Sequence, residues 1–154
     1  MWIETGTLFV AQSIDGEFKR YEYLCYYLAF KSILDKTEGF RLYHDELAEK
    51  VHKLGWHITS WKRLQGLVHR MEQQGFLEQA PIKVHENYWI GDGNHRLCCA
   101  MALDIDQVPI IIKLGSFRKR YRDRSWFAEN FDKSFMELLD YTREGLFSKY
   151  AIQD

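Results

Sequence analysis

The sequence is poor in the residues that mark several familiar protein classes. Three cysteines in 154 residues form no CxxC pair, so neither a disulfide framework nor a zinc site is expected. Only two prolines are present, and there is no repeat or low-complexity tail. No apolar run approaches the roughly 18 residues of a membrane helix. The chain is therefore not expected to span a membrane or to depend on disulfides or structural zinc.

An excess of charge of one sign is also lacking. Twenty-one Lys and Arg residues stand against 22 Asp and Glu residues, for a formal net charge of −1. No overall positive field draws the protein to nucleic acid or anionic lipid, so DNA binding would need a local patch. The N-terminus lacks the basic start and apolar core of a signal peptide. We expect a cytoplasmic protein whose Cys25, Cys98 and Cys99 are reduced and buried or half-buried.

What the sequence has is enough apolar material for a packed domain. Hydrophobic residues make up 46% and aromatic residues 16% of the chain, and the length fits one domain over 1–154. Apolar periodicity and glycine or proline breaks predict the secondary structure. The predicted helices cover 19–36, 43–54, 60–74, 97–103 and 134–147, the last opened by a capping box at Ser134 and Glu137. The predicted strands cover 7–11, 81–84, 88–90 and 108–112, the last in the middle of a sheet.

This order of elements predicts an α/β or α+β fold with a small mixed sheet flanked by helices. The core of that fold is expected at 59–114. A helical N-terminal part is expected over 19–75 and a C-terminal helical extension over 125–150.

The stretch that suggests chemistry is GDGNHR at 91–96, between a short β-rich run and a run of helix formers. A strand that ends at glycines and restarts as a helix leaves backbone N–H groups unpaired at the helix start, which is an anion site. Gly91 and Gly93 permit positive φ or close approach of a ligand. Asn94 is predicted to cap the helix.

Three reactive side chains lie within five residues of each other in this stretch. Arg96 offers a bidentate fork for phosphate, His95 exchanges a proton near neutral pH, and Asp92 can hold a divalent cation or accept a proton. A purely structural turn stays open as an alternative. In it Asp92 and Asn94 cap the helix and Arg96 pairs with a local carboxylate.

The surrounding motifs resemble a known superfamily. A helix ending in glycine, then Pro-Ile-x-Val at 81–84, a second strand, Asp-Gly-x-His-Arg at 92–96 and Val-Pro-Ile-x-Ile at 108–112 look like the core of the ParB/sulfiredoxin-like superfamily. The resemblance covers about 59–114, roughly a third of the chain. Its members include CTP-binding partition proteins, sulfiredoxins, free-serine kinases and nucleases. It implies the ParB/sulfiredoxin-like fold and a nucleotide whose phosphates sit at the turn.

Departures from the subfamilies narrow what the resemblance implies. Asn94 stands where sulfiredoxins have their nucleophilic cysteine, and the Gly-Glu-Arg-Arg of partition proteins is missing. The turn is most similar to the Asp-Gly-His-His-Arg of the free-serine kinases. The resemblance thus implies a Mg²⁺-dependent phosphotransferase or nucleotide hydrolase that uses ATP, ADP or CTP and a small-molecule phosphoryl acceptor.

The resemblance also suggests a role for each residue of the turn. Gly91, Gly93, Asn94 and Arg96 would hold phosphate oxygens. Asp92 would position the metal or the accepting hydroxyl, and His95 would contact a phosphate and stabilise the charge of transfer. A kinase would also need an upstream carboxylate. The sequence does not select between Glu17 and Glu22.

Two basic features keep other functions open. Arg118, Lys119 and Arg120 begin a run with five cations in seven residues, which could bind a second substrate or nucleic acid. The helices at 43–54 and 60–74 suggest a winged helix-turn-helix whose second helix carries Lys62, Arg63, His69 and Arg70. However, their connection is longer than the usual 3–4 residues. A ParB-like DNA-binding protein or nuclease, and a non-catalytic nucleotide-binding module, are the alternatives.

Overall fold

The computed structural model describes residues 1–55, 57–115 and 120–151. Strands and helices are mixed along this part of the chain, which confirms the predicted α/β class. The described helices are α1 (Thr5–Val10), α2 (Glu22–Leu34), α3 (Arg41–Lys53), α4 (Trp61–Gln74), α5 (Asn94–Ala102), α6 (Arg124–Asn130) and α7 (Lys133–Ala151). The described strands are β1 (Trp2–Glu4), β2 (Ser13–Ile14), β3 (Glu17–Phe18), β4 (Ile82–Val84), β5 (Ile90–Asp92) and β6 (Gln107–Ile112).

Four strands form the small mixed sheet that the sequence predicts, in the order β1-β6-β4-β5. β4 and β6 are parallel, while β1 pairs with β6 and β5 with β4 in antiparallel register. The apolar run at 108–112 lies in the interior strand β6, as predicted. Strands β2 and β3 form a separate two-stranded sheet.

One face of the four-stranded sheet packs on the helices. Pleating places Ile82, Val84, Val108 and Ile110 in the hydrophobic core, where each is almost fully buried. Trp2 and Ile111, which point to the other face, are each 43% exposed. This buried face is the core face of the sheet, where helix α1 contacts β1 and helix α5 contacts β4.

The predicted strand at 7–11 is wrong, because this segment belongs to helix α1. The sheet pairing of β1 ends at Glu4, and the Thr5 backbone N–H donates to Asp106 O at 2.8 Å. From there the chain turns into a helix that buries Leu8 and Phe9 completely. Burial of two large apolar side chains outweighs the weak β-propensity of the segment.

Two local predictions also need correction. The strand predicted at 88–90 lies two residues later, at β5, because Tyr88 has a positive φ of 65° and interrupts the extended run. The capping box at Ser134 and Glu137 is not formed. Instead, Asp132 Oδ1 accepts from the Phe135 N–H at 2.9 Å, so the preceding aspartate caps α7.

Helices α3 and α4 do not have helix-turn-helix spacing, since α3 ends at Lys53 and α4 begins at Trp61. Helix α4 instead packs against α2 and α5. Among the described residues, no helix combines the length and apolar character needed to cross a bilayer.

Candidate functional site

The GDGNHR segment at 91–96, called the turn below, contains the end of β5 and the start of α5, which are joined through a single residue, Gly93. Gly93 has a φ of 115°, which residues other than glycine rarely adopt. A Cβ at this position would also lie 3.0 Å from Ile82 Cγ1 and 3.2 Å from Arg96 Nη2. The glycine is therefore required both by the backbone conformation and by the close packing of β4 under the turn.

Asn94 does not cap α5, contrary to the sequence prediction. Gly93 occupies the N-cap position, no side chain caps the helix, and Asn94 is the first helical residue. Its Oδ1 atom accepts hydrogen bonds from Arg20 Nη1 at 2.9 Å and from the Tyr23 hydroxyl. The Asn94 side chain thus holds the start of α5 against α2 and the segment before it.

Arg20 is the centre of this buried network. Its side chain is 4% exposed, and Nη2 donates to Ile90 O at 2.9 Å and to Arg120 O at 3.5 Å. Its guanidinium lies 4.1 Å from the centre of the Trp89 ring, in cation–π geometry. Arg20 therefore fixes the turn from the strand side, and no pattern in the sequence indicates this role.

Arg96 is held against the loop that follows α4. Its Nη1 donates to Ala80 O, and its Nη2 lies 3.5 Å from Pro81 O. Nη2 is also 4.0 Å from Asp92 Oδ2, while the Asp92 side chain is 66% exposed. Much of the hydrogen-bonding capacity of Arg96 is thus used within the fold, and Asp92 keeps most of its surface open to solvent.

His95 points away from Arg96, toward the start of α4. Its Nε2 atom is 3.1 Å from Thr59 Oγ1, and its ring packs edge-on against Tyr26 at 4.4 Å between centroids. Burial lowers the pKa of His95 to about 4, and the nearby His44 contributes in the same direction. His95 is therefore neutral at pH 7. Its Nδ1 makes no hydrogen bond within the described residues.

Thr59 is fixed in turn by His44, which is almost fully buried. His44 Nε2 lies 2.9 Å from Thr59 O, and because a carbonyl oxygen can only accept, Nε2 must carry the hydrogen. Burial lowers the pKa of His44 as well. The segment before α4 is thus anchored at its backbone by His44 and touches His95 through its side chain.

A cleft with a volume of about 720 Å³ opens between α4 and the start of α5. Its polar lining includes Thr59, Ser60, Lys62, Arg63, Arg70 and His95. Within the described residues, no carboxylate lines this cleft and none of its three cations forms an ion pair. Ser60 caps α4 by accepting from the Arg63 N–H at 3.3 Å. The cleft is therefore strongly positive and fits an anionic ligand.

A smaller, mainly apolar hollow of about 200 Å³ adjoins the cleft, because Leu67 and Arg70 line both. Met71 and Phe76 form part of its wall, and Arg96 lies at its edge. His95 and Arg96 therefore contribute to adjacent parts of one surface along α4, although their side chains diverge.

The cleft is the better candidate site when compared with another cavity of about 580 Å³. That cavity lies near the end of α7 and is lined by Glu4, Asp104 and Asp106, with Lys149 as its cation. Its acidic lining disfavours phosphate.

The described residues among the remaining candidates, Arg120, Glu17 and Glu22, do not line the cleft. Arg118 and Lys119 fall outside the described residues, and Arg120 is exposed, with its backbone oxygen near Arg20. Glu17 is exposed and pairs with Lys19 at 3.1 Å. Glu22 is buried and accepts from the Arg122 N–H at 2.5 Å. Neither glutamate lines the cleft.

The side chains that line the cleft suit phosphate better than they suit a metal ion held by the protein alone. Among the described residues, no group of three or more His, Cys, Asp or Glu side chains could hold a metal. Mg²⁺ is often bound by only one or two carboxylates together with phosphate oxygens and water. Asp92 is the exposed carboxylate of the turn and could serve in such a site.

A scan against protein-family models and searches of curated proteins and of solved structures found no match to this chain. The resemblance to the ParB/sulfiredoxin-like superfamily therefore stays a prediction.

The sequence indicates the turn but not the other wall of the cleft. Its patterns suggest Arg63 and Arg70 only as DNA-reading residues, and they do not single out Thr59 or Ser60 for ligand binding. The seven-residue spacing of Arg63 and Arg70 is a signal that could indicate a shared binding surface, because residues seven apart lie on one face of a helix. Only the packing of α4 against α5 shows that this face meets His95.

Proposed function

We propose that this protein binds a nucleoside di- or triphosphate in the cleft between α4 and α5. The observation that carries the proposal is a set of three cations, Lys62, Arg63 and Arg70, which form no ion pair among the described residues and face the same cleft as the neutral His95. Phosphate groups would neutralise these cations, and arginine forks match phosphate geometry. The adjoining apolar hollow supplies the non-polar surface that a base needs.

We further propose that the bound nucleotide is a substrate, in a Mg²⁺-dependent phosphotransferase or a nucleotide hydrolase. Asp92 does not line the cleft, but as the exposed carboxylate of the turn it would hold a Mg²⁺ ion that also binds phosphate oxygens. His95 would donate a hydrogen bond to a phosphate oxygen, with its ring oriented by Thr59 and Tyr26. We assign phosphate binding to Arg63 and no longer to Arg96, because Arg96 already donates hydrogen bonds to the carbonyl oxygens of Ala80 and Pro81.

A thermal-shift measurement tests nucleotide binding. Purified protein is heated with ATP, ADP, CTP or GTP, each with Mg²⁺, and a bound ligand at 100 times its Kd raises the melting temperature by roughly 5–10 °C for a domain of this size. Arg63→Ala should reduce this shift, while Arg41→Ala, which removes an exposed arginine outside the cleft, should not. The absence of a shift with every nucleotide contradicts the proposal.

Turnover requires a separate test. Release of phosphate, or its transfer to an added acceptor, should fall by at least about tenfold in His95→Ala and in Asp92→Asn. Nucleotide binding, measured without Mg²⁺, should persist in Asp92→Asn. Nucleotide binding without any turnover in the wild type would identify a non-catalytic nucleotide-binding module instead.

Nucleic acid is the second candidate ligand, because Lys62, Arg63 and Arg70 are exposed along one helix. Duplex binding through these cations would weaken steeply with salt, with a slope of about −0.9 per neutralised phosphate. A titration of labelled duplex DNA at several salt concentrations measures that slope. Nucleic acid is the favoured ligand if nucleotides do not raise the melting temperature of the wild type and Arg63→Ala lowers its affinity for duplex DNA.

A further inference from the structure

Position 66, in the middle of α4, is occupied by glycine and faces the candidate site. Gly66 lines the cleft between Arg63, three residues before it, and Arg70, four residues after it. A glycine inside a helix destabilises the folded state relative to alanine. Glycine at position 66 therefore lowers stability while leaving the cleft surface without a side chain.

Packing within the fold does not require glycine at position 66. Gly66 has ordinary helical backbone, and among the described atoms an added Cβ would approach only Arg70 Nη1, at the ordinary contact distance of 3.5 Å. Gly6 in α1 is different, because a Cβ there would lie 2.2 Å from the Tyr150 ring. Alanine would thus fit at position 66 in the protein without ligand.

The surroundings of Gly66 favour a flat ligand group. The missing side chain leaves a small patch of helix surface next to the Arg70 guanidinium, whose Nη1 would lie 3.5 Å from an added Cβ. Guanidinium planes stack well on aromatic rings. Leu67, next to Gly66, lines both the cleft and the apolar hollow. The cations and hydroxyls at the start of α4 lie on the other side of this patch, where they suit phosphates.

We propose that Gly66 lets the aromatic ring of the ligand, the base of the nucleotide, lie directly on the backbone of α4 between Arg63 and Arg70. This inference rests on the proposed nucleotide binding. The phosphates then extend toward Ser60 and His95, and the far edge of the ring reaches Leu67 and the apolar hollow. Any side chain at position 66 would occupy the place of the ring.

The test compares Gly66→Ala with Gly145→Ala, using ATP and inorganic tripolyphosphate as probes in isothermal titration calorimetry with Mg²⁺. Gly145 is the matched control, because it is also inside a helix, α7, and a Cβ there would meet nothing within 4 Å. Both variants should melt at least about 2 °C higher than the wild type, which shows that they fold. Gly66→Ala should bind ATP at least about tenfold more weakly, equivalent to about 1.4 kcal/mol. Its affinity for tripolyphosphate, and both affinities of Gly145→Ala, should stay within about twofold of the wild type.

The outcomes separate this inference from the function on which it rests. Unchanged ATP affinity in Gly66→Ala, with a wild type that binds ATP, overturns the inference and leaves nucleotide binding intact. An equal loss for ATP and tripolyphosphate also overturns it, because position 66 would then contact phosphates. A wild type that binds neither probe refutes both proposals.

Discussion

Replacing Glu22 by glutamine should make the stability of the protein less sensitive to a rise in pH from 4.5 to 7. Glu22 begins α2, is 8% exposed, and accepts a hydrogen bond from the Arg122 backbone. Burial raises its pKa to about 7, although the Arg122 N–H and the charges of Arg20 and Arg122 act in the opposite direction. The carboxyl group is thus mostly protonated in the folded protein below neutral pH, while in the unfolded chain it ionises near 4.5.

The sign and size of the effect follow from these two values. Between pH 4.5 and 7 the folded state binds more protons than the unfolded state, so the free energy of unfolding decreases as pH rises. The stabilisation is complete below pH 4.5 and is lost above about pH 7. A pKa difference of this size corresponds to about 3 kcal/mol. Because the amide of a glutamine does not ionise, the Glu22→Gln variant should not show this loss.

Urea unfolding of the wild type and of Glu22→Gln at pH 4.5, 6 and 8 measures the difference directly. From the lowest to the highest pH, the free energy of unfolding of the variant should rise by roughly 1–3 kcal/mol relative to that of the wild type. A constant cost of the amide group would not change this difference. The control Glu17→Gln removes an exposed carboxylate and should follow the wild type. Parallel stability curves for Glu22→Gln and the wild type would refute the reasoning.

Three further substitutions test the turn, each by urea unfolding. Asn94→Ala removes the acceptor of Arg20 and Tyr23 and should cost about 1–3 kcal/mol, so a loss below about 0.5 kcal/mol would contradict the network. Gly93→Ala should cost more than about 1 kcal/mol because of its positive φ and the contact with Ile82, and wild-type stability would contradict that. His95 has a folded pKa of about 4 against 6.5 when unfolded, so the unfolded chain takes up the proton first and stability falls as pH drops through this window. His95→Gln should lose less stability between pH 6.5 and 4, and an identical loss would argue against a buried neutral histidine.

Apart from the two-residue shift of β5 and the cap of α5, the elements from α4 to β6 are well predicted from the sequence because their signals are strong and local. Gly75 ends α4, Pro81 precedes β4, and the apolar run at 108–112 has the composition of an interior strand. The first eleven residues are predicted poorly, because their structure depends on distant contacts. Pairing of β1 with β6 and packing of Gly6 under Tyr150 join segments that are far apart in the chain.

The candidate site is partly predictable for a similar reason. The glycines and the following helix locate the turn, but the directions of its side chains cannot be read from their proximity in sequence. Successive residues on a helix point about 100° apart, so Asn94, His95 and Arg96 face three different neighbours. The cleft opposite His95 is formed by α4, whose placement depends on tertiary packing.

Arg20 has a consequence for the order in which this protein folds. Its guanidinium joins groups 70, 74 and 100 residues away, at Ile90, Asn94 and Arg120. Contacts over such separations require the closure of long loops, whose entropy cost opposes their early formation. We therefore expect the helices to form before the turn is fixed, so the candidate site becomes ordered among the last parts of the chain.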